Sequence, residues 1–296
     1  MQNVVNLTKT NGYRDLVSKL SSSIDNIPDL NISDGHRVLI KPNLCNFRHP
    51  SSGAITHPAF LDAVLCVLRK KFDDLDITVI ESDATASKPD ITLKWFGFDK
   101  ILEKWDAKWC NLSYDPTTNR KIDGLFFDEI ELPEIFDNYD YYISLSKLKT
   151  HSLTKFTASL KNQFGCIPIK NKSKYHKNID DVIADVNLAI KPDLCIVDGI
   201  ISMCGGVAIY GTPVQSNIII VGKDPVSVDA VCAKLFGYNP RRIGCIKKSI
   251  EIGVGTDKYS LVGDVNDLND VKIDNEISFL RMILLNLGRN IQRRVT

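Results

Sequence analysis

The sequence predicts an α/β fold with a mostly parallel, doubly wound sheet of the Rossmann or flavodoxin type, in one lobe or two. Apolar, β-rich runs alternate with helical patterns along most of the 296 residues, which is the pattern of successive βαβ units with helices on both faces of the sheet. Several of these runs are continuously apolar, as expected for strands buried on both faces. Hydrophobic residues make up 44% of the chain and charged residues 25%, an ordinary globular composition that excludes wholesale disorder.

The first half of the chain predicts three strands, two helices and a hairpin. Residues 58–72 have a proline at the first turn and apolar Phe60, Val64 and Val67 at helical spacing. In chain order the elements are strand 37–44, helix 58–72, strand 77–82, a helical stretch around 91–105 and a strand-like segment near 107–113. Residues 120–135 alternate apolar and polar after an Asp-Gly turn, which predicts a small antiparallel excursion within 107–135.

The second half continues the alternation. Residues 225–237 form a helix with Pro225 at its start, Gly237 at its stop and Asp224 as its N-cap. The other predicted elements are strand 141–149, helices 154–164 and 178–190, and strands 194–200 and 216–224. We expect a single α/β domain over 1–260 and a helical tail over 261–296.

The tail carries an amphipathic helix over 276–296, with leucines and Ile283 along one side and arginines elsewhere. It is interpreted as a docking or dimerising helix, which predicts a homodimer, or as a basic helix on a membrane surface.

Charge and cysteine usage exclude several classes of protein. Lys and Arg number 37 against 36 Asp and Glu, so the net charge of +1 makes a nucleic-acid-binding protein coated in positive charge unlikely, although a local patch is compatible with it. No run of 18 apolar residues and no signal peptide are present, so no membrane span is expected. The eight cysteines are spread singly without a C-x-x-C pair, which fits neither a zinc ribbon nor an iron–sulfur cluster and favours a reducing cytoplasm.

The most informative segment is 147–177, which follows a predicted strand and contains eight lysines, two histidines and no acidic residue. One interpretation is a site for an anionic substrate at the carboxyl end of the sheet, and the other is a solvated surface face. Lys161, among other lysines, should have a lowered pKa and can act as a nucleophile or carry a covalent group. His151 and His176 are candidate general bases or metal ligands, His176 being the candidate for a divalent metal. Candidate substrate-binding residues in this segment are Lys149, Thr154 and Asn162.

Two further loops follow predicted strands. In 41–58, Lys41 and Asn43 at a strand end and Thr56 and His57 before a helix can bind an anion on the helix amides, or the loop only reverses the chain. In 197–213 the candidate binding residues are Asp198, Gly205 and Gly206. These glycines would allow close approach of the backbone to a ligand, but the segment has neither a G-x-G-x-x-G fingerprint nor a Walker loop, so nucleotide binding is only weakly indicated.

Six motifs together resemble the domain-of-unknown-function-362 family, DUF362, over Arg37 to Gly237. They are VLIKPNLC, a downstream THP, ESD at 81–83, SKLKTHSLTKFTASLKNQFGCIP, IVDGI before a Gly-rich turn, and GKDPVSVDAVCA. Some members are fused to ferredoxin-like iron–sulfur modules. For this chain, which has no such cysteine repeat, the resemblance implies a separate ferredoxin-like partner.

The order His151, Lys161, His176 is also similar to the catalytic lobe of the nickel-pincer lactate racemases. That similarity implies proton transfer at His151, a lysine-anchored cofactor at Lys161 and a metal at His176. The Gly-Gly that precedes the lysine in that family is Ser159-Leu160 here, so shared architecture is indicated more strongly than racemisation.

Three hypotheses on function follow. The first is an enzyme acting on a small carboxylate-bearing metabolite or biosynthetic intermediate, by acid/base or covalent-lysine chemistry in a cleft bordered by 41–57, 147–176 and 198–211. The second is a redox protein linked to a metal or an iron–sulfur partner. The third is a nucleic-acid-binding or scaffolding protein that uses the lysine segment.

Overall fold

The computed structural model describes residues 3–85, 87–207, 210–265 and 267–273, which form an α/β fold around one large sheet. The strands are β1 (Asn3–Lys9), β2 (Arg37–Lys41), β3 (Asp76–Glu81), β4 (Lys108–Asn111), β5 (Thr117–Lys121), β6 (Glu129–Pro133), β7 (Tyr141–His151), β8 (Lys155–Thr157), β9 (Leu194–Val207), β10 (Tyr210–Gly222) and β11 (Tyr259–Gly263). The helices are α1 (Leu16–Asp25), α2 (Pro58–Lys71), α3 (Pro89–Trp95), α4 (Phe98–Lys104), α5 (Ser159–Asn162), α6 (Ile179–Ala189), α7 (Pro225–Leu235) and α8 (Gly244–Glu251).

The large sheet has the strand order β11-β1-β10-β9-β7-β2-β3-β4, and β8 pairs with the end of β7. Within the described residues, five of its strand pairs are parallel and three antiparallel. The mostly parallel sheet predicted from the sequence is therefore confirmed. Strands β4, β3, β2, β7 and β9 run parallel to one another, so their carboxyl ends meet at the same edge of the sheet.

Hydrophobic cores lie on both faces of the sheet, as doubly wound topology requires. Neighbouring residues of one strand enter opposite cores, because side chains alternate across a strand: Val38 and Ile40 face one core and Leu39 the other. The first core is closed by α1 to α4 and the second by α5 to α8. Continuous apolar runs in the sequence therefore do mark strands buried on both faces.

The predicted helix boundaries follow from their capping residues. Asp224 accepts hydrogen bonds from the amides of Val226 and Ser227, so it is the N-cap of α7, and Gly237 beyond the helix has φ +75°. The predicted hairpin is also confirmed, since β5 and β6 pair antiparallel as a separate two-stranded sheet.

The prediction of one helix over 154–164 is wrong. Residues 155–157 form β8, which pairs antiparallel with the end of β7, and Thr150 lies opposite Phe156. Lys155 has φ +68°, a left-handed conformation that an α-helix cannot accommodate. The helix is reduced to the four residues of α5 and a 3-10 turn over Gln163–Cys166. The apolar spacing of Phe156 and Leu160 therefore reflects a strand followed by a short helix.

The predicted glycine-rich loop over 197–213 is also replaced by strand. β9 continues to Val207 and pairs antiparallel with β10 as far as Tyr210, so Gly205 and Gly206 lie in the arm of a long hairpin. Gly205 has φ +69°, so a glycine is favoured there by the left-handed backbone conformation of the hairpin.

The sheet extends past residue 260, where the helical tail was expected to begin. The expected boundary at residue 260 falls inside β11, which pairs parallel with β1 and belongs to the sheet. The predicted amphipathic helix over 276–296, with its docking, dimer and membrane-surface interpretations, lies outside the described residues. Among the described helices, none combines the length and apolar character needed to cross a bilayer.

Candidate active site

A cavity of about 250 Å³ lies where β2, β3 and β7 end. Lys41 and Glu81 are the last residues of β2 and β3, and His151 is the last residue of β7. The remaining wall comes from the segments 43–46, 82–85, 157–165 and 170–176. Ligand sites of α/β sheets occur at this edge because the connecting loops meet there.

The wall of the cavity is strongly cationic. Its ionisable side chains are Lys41, Lys149, Lys161, Lys170, Lys172, His151, His176, Cys45 and, as the single carboxylate of the described wall, Glu81. Glu81 is paired with Lys41, whose Nζ lies 2.7 Å from Oε1. Positive charge therefore exceeds negative charge around this space in a chain whose net charge is only +1.

Three of these lysines are held in place by hydrogen bonds or an ion pair. The ammonium of Lys149 donates to Asn43 Oδ1 at 2.9 Å, to Cys45 Sγ at 3.1 Å and to the carbonyl of Ala54, which uses its three protons. Lys172 donates to Ser82 Oγ at 2.9 Å and to a backbone carbonyl at 2.8 Å, leaving one N–H for the cavity. Burial lowers the pKa of Lys172 to about 8, against the opposing effect of the Glu81 carboxylate.

Lys161 is positioned by the anchored start of α5. The carboxylate of Asp229 accepts hydrogen bonds from the amides of Ser159 at 2.7 Å and Leu160 at 3.2 Å. The Lys161 ammonium lies 4.9 Å from the centre of the Phe164 ring and makes no hydrogen bond or ion pair with the part of the chain that the structure describes. Burial is the main cause that lowers its pKa to about 8, with the ammonium of Lys149 acting in the same direction and Cys45 in the opposite one.

His151 is a neutral hydrogen-bond donor in this environment. Its Nδ1 accepts from the amides of Leu153 at 3.1 Å and Thr154 at 3.4 Å, which assigns the ring proton to Nε2. Burial lowers the pKa of His151 to about 2, and the Lys161 and Lys149 ammoniums act in the same direction. His151 is therefore suited to donate a hydrogen bond from Nε2 rather than to act there as a general acid or base.

His176 lies at the exposed mouth of the cavity, where burial and the nearby Lys161 ammonium lower its pKa. The described residues include no group of three or more His, Cys, Asp or Glu side chains placed to hold a metal ion. The charged group that acts on His176 is the Lys161 ammonium, so this set of side chains does not fit the divalent metal that the sequence resemblance implied. The unpaired amine of Lys161, in contrast, fits a point of covalent attachment.

Asn43 and Asn162 line the cavity, but their polar atoms are already committed. The side-chain amide of Asn43 donates to Asn162 Oδ1 at 3.1 Å, and the side-chain amide of Asn162 donates to the carbonyl of Lys41 at 3.0 Å and to Ser144 Oγ at 3.1 Å. Thr56 holds this loop from behind, since its hydroxyl accepts from the backbone amide of Asn43 at 2.9 Å. The Asn43 and Asn162 side chains form the floor of the cavity.

Six predicted binding residues lie outside the described cavity wall: Thr56, His57, Thr154, Asp198, Gly205 and Gly206. His57 caps α2 through its Nδ1, and Thr154 donates to the carbonyl of Phe156 at 2.8 Å. Asp198 forms an ion pair of 2.7 Å with Lys147, and both side chains are fully buried. One of the segment's lysines is therefore structural, and the border expected from 198–211 is formed instead by 82–85.

Sequence reasoning missed several lining residues: Cys45, Glu81, Ser82, Thr157, Phe164, Gly165, Lys170 and Lys172. Glu81 was accessible from the sequence, because it ends a predicted strand in the motif ESD. Gly165 was not, because its requirement is tertiary: a Cβ there would lie 2.7 Å from Lys41 Nζ and 2.8 Å from Glu81 Oε1. Thr157 was taken for a helical residue, whereas it ends β8.

Comparisons with known proteins identify a family, a curated relative and similar solved structures. The family model described as "Domain of unknown function (DUF362)" matches residues 38–234. A thylakoid-associated protein of Synechocystis sp. is 24% identical over 251 residues, which cover 82% of this chain and 76% of that protein. The apoprotein of lactate racemase from Thermoanaerobacterium thermosaccharolyticum is similar with a TM-score of 0.47 and 11% identity, covering 80% of this chain and 57% of that one. That likeness decides neither the activity nor the site of this chain.

Proposed function

The chain belongs to the DUF362 family, and we propose that it is an enzyme that acts on a small carboxylate-bearing metabolite in the cavity around Lys161. One observation carries the proposal. An amine with no hydrogen bond or ion pair within the described structure faces a cavity whose wall holds five lysines and a single, already paired carboxylate.

The charge of the wall favours an anionic guest. Burial lowers the pKa values of Lys161 and Lys172, and repulsion from the neighbouring Lys149 and Lys41 ammoniums acts in the same direction. A carboxylate would offset this repulsion and accept the N–H groups that Lys161 and Lys172 leave free. At roughly 30 Å³ per water in the liquid, the cavity has the volume of roughly eight waters, which suits a small acid.

The two reactive groups have complementary roles. With a pKa of about 8, Lys161 is present partly as the neutral amine near neutral pH, so it can remove a proton or attack a carbon atom. His151 lines the same space, and its free Nε2–H can polarise a substrate oxygen by donating a hydrogen bond to it. Acid–base or covalent-lysine chemistry next to a carboxylate is the reaction class that this pair supports.

We also propose the cytoplasm as the compartment, since all eight cysteines, each within the described residues, are free thiols. The Synechocystis relative is thylakoid-associated, which concerns that protein. A ferredoxin-like partner and a homodimer through the tail stay predictions.

The test combines binding with proton exchange. Calorimetry with pyruvate, succinate and lactate measures affinity, and proton NMR in D₂O follows loss of the C–H signals next to the carboxylate or carbonyl. We expect at least one acid to bind and exchange with the wild type, with at least tenfold weaker binding and no exchange for Lys161→Met. Lys177→Met, which changes an exposed lysine of the same segment, is the matched control. Equal binding and exchange by Lys161→Met, or neither with any acid, would refute the proposal.

A further inference from the structure

We propose that the substrate is a 2-oxo acid, which forms an imine with Lys161 and is positioned by the hydroxyl of Thr157. This inference rests on the proposed function and narrows it to one substrate class and one covalent step. It starts from a feature that the proposed function does not use, the side chain of Thr157.

Thr157 is a buried residue of the cavity wall whose hydroxyl has no partner in the part of the chain that the structure describes. The residue is 2% exposed, and it lies opposite Lys149 in the pairing of β7 with β8. A buried hydroxyl without a partner has given up its hydrogen bonds to water, so a guest that supplies a partner gains affinity from it. Lys161 follows four residues later and lines the same space. An oxygen-bearing guest would satisfy Thr157 and meet the Lys161 amine together.

Lys161 is the half-buried lysine of the described wall that has its nitrogen available. The Lys41 ammonium is bound by Glu81, Lys149 has used its three protons, and Lys172 has used two. Lys170 is exposed at the rim. A neutral amine is needed for attack on a carbonyl carbon, and the ammonium of Lys149 favours the neutral form of Lys161.

The neighbours of Lys161 match the two ends of a 2-oxo acid. The Nε2–H of His151 can donate to the carbonyl oxygen, and its neutrality prevents it from competing for the carboxylate as an ion pair. The ammonium groups of Lys172 and Lys41 each retain one N–H that can donate to the carboxylate. A simple carboxylic acid would use the charged groups but leave the His151 and Thr157 donors without a second oxygen.

The covalent step is balanced without an oxidant or reductant. The lone pair of the neutral Lys161 amine forms a C–N bond with the carbonyl carbon, and the C=O π pair moves to oxygen, which gains a proton to give a carbinolamine. Loss of that hydroxyl as water forms the C=N bond, so amine and ketone give imine and water. Thr157 is placed to hold the departing hydroxyl or water, because its own hydroxyl both donates and accepts.

The experiment traps the imine by reduction. Wild-type protein is incubated with pyruvate, 2-oxobutyrate or 2-oxoglutarate and sodium cyanoborohydride, and intact mass followed by peptide mapping locates the adduct. We expect a saturable adduct of one acid less one oxygen atom at Lys161, and none with lactate, which has a hydroxyl in place of the ketone. Lys161→Arg should lose the adduct, whereas Lys177→Arg should retain it.

Thr157→Val and Thr157→Ser test the positioning role. Removing the hydroxyl should slow trapping roughly tenfold, the equivalent of one hydrogen bond, without lowering the thermal unfolding temperature, and serine should restore the rate. A structural role alone would not be rescued by the smaller serine at an unchanged unfolding temperature. Equal trapping rates for valine and wild type would overturn the role of Thr157.

Calorimetry on the same samples separates the two proposals. If the acids bind but no adduct forms at Lys161, or adducts spread evenly over exposed lysines, the imine is refuted and the anion site stands. If no acid binds, the proposed function and this inference fail together.

Discussion

Replacing Lys161 by methionine should stabilise the ligand-free protein at neutral pH. The side chain carries its charge into a cavity where burial and the Lys149 ammonium disfavour that charge, and among the described residues its Nζ has the face of the Phe164 ring but no ion pair beside it. Methionine has a similar length and no charge, so it retains the packing and removes the penalty. A site prepared for an absent anion lowers the stability of the protein that carries it.

The magnitude follows from the pKa of Lys161, which falls from 10.5 to about 8. A shift of that size corresponds to about 3 kcal/mol of free energy of unfolding. Because part of the side chain is open to the cavity, we expect a gain on the order of 2 kcal/mol for Lys161→Met. The sign depends on pH: below pH 8 the amine is protonated in both states and the penalty is complete, and between pH 8 and 10.5 the folded state loses its proton first, so wild-type stability rises.

Urea unfolding of both proteins at pH 7 and at pH 10.5 checks this expectation. The variant should be more stable at pH 7, and the difference should largely vanish at pH 10.5. Lys177→Met, at an exposed position, should show neither effect. A destabilised Lys161→Met, or a gain that does not change with pH, would show that the Lys161 amine is not electrostatically strained and would refute the reasoning.

Two further predictions concern a buried ion pair outside the cavity wall and a glycine that belongs to the wall. Asp198→Asn leaves the fully buried Lys147 ammonium without its counter-ion and should destabilise the protein by about 3 kcal/mol or more in urea unfolding, whereas a loss under roughly 1 kcal/mol would contradict a structural ion pair. Gly165→Ala places a Cβ 2.7 Å from Lys41 Nζ, so it should lower the free energy of unfolding by roughly 1–3 kcal/mol and weaken acid binding in calorimetry. Unchanged stability and unchanged binding would show that the Lys41–Glu81 ion pair shifts without cost.

The sequence predicted those site residues whose position follows from neighbouring residues, and it failed where a contact between distant segments decides the role of a residue. Lys161 and His151 were identified because they follow a strand in a segment without acidic residues, and both line the cavity. Asp198 was taken for a ligand-binding residue because it too follows a strand-like run. Its partner, Lys147, lies on the neighbouring parallel strand, and that pairing appears only when β7 and β9 are side by side.

The sequence by itself determined the layered α/β architecture, since apolar periodicity and capping residues such as Asp224 act within a few residues of the chain. It also determined that positive charge collects after one strand. Only the tertiary structure decided which lysine is free, because that depends on hydrogen-bond partners contributed by distant segments: Glu81 for Lys41, Ser82 for Lys172, and for Lys161 none within the described chain. Charge is a property of the residue, whereas its compensation is a property of the fold.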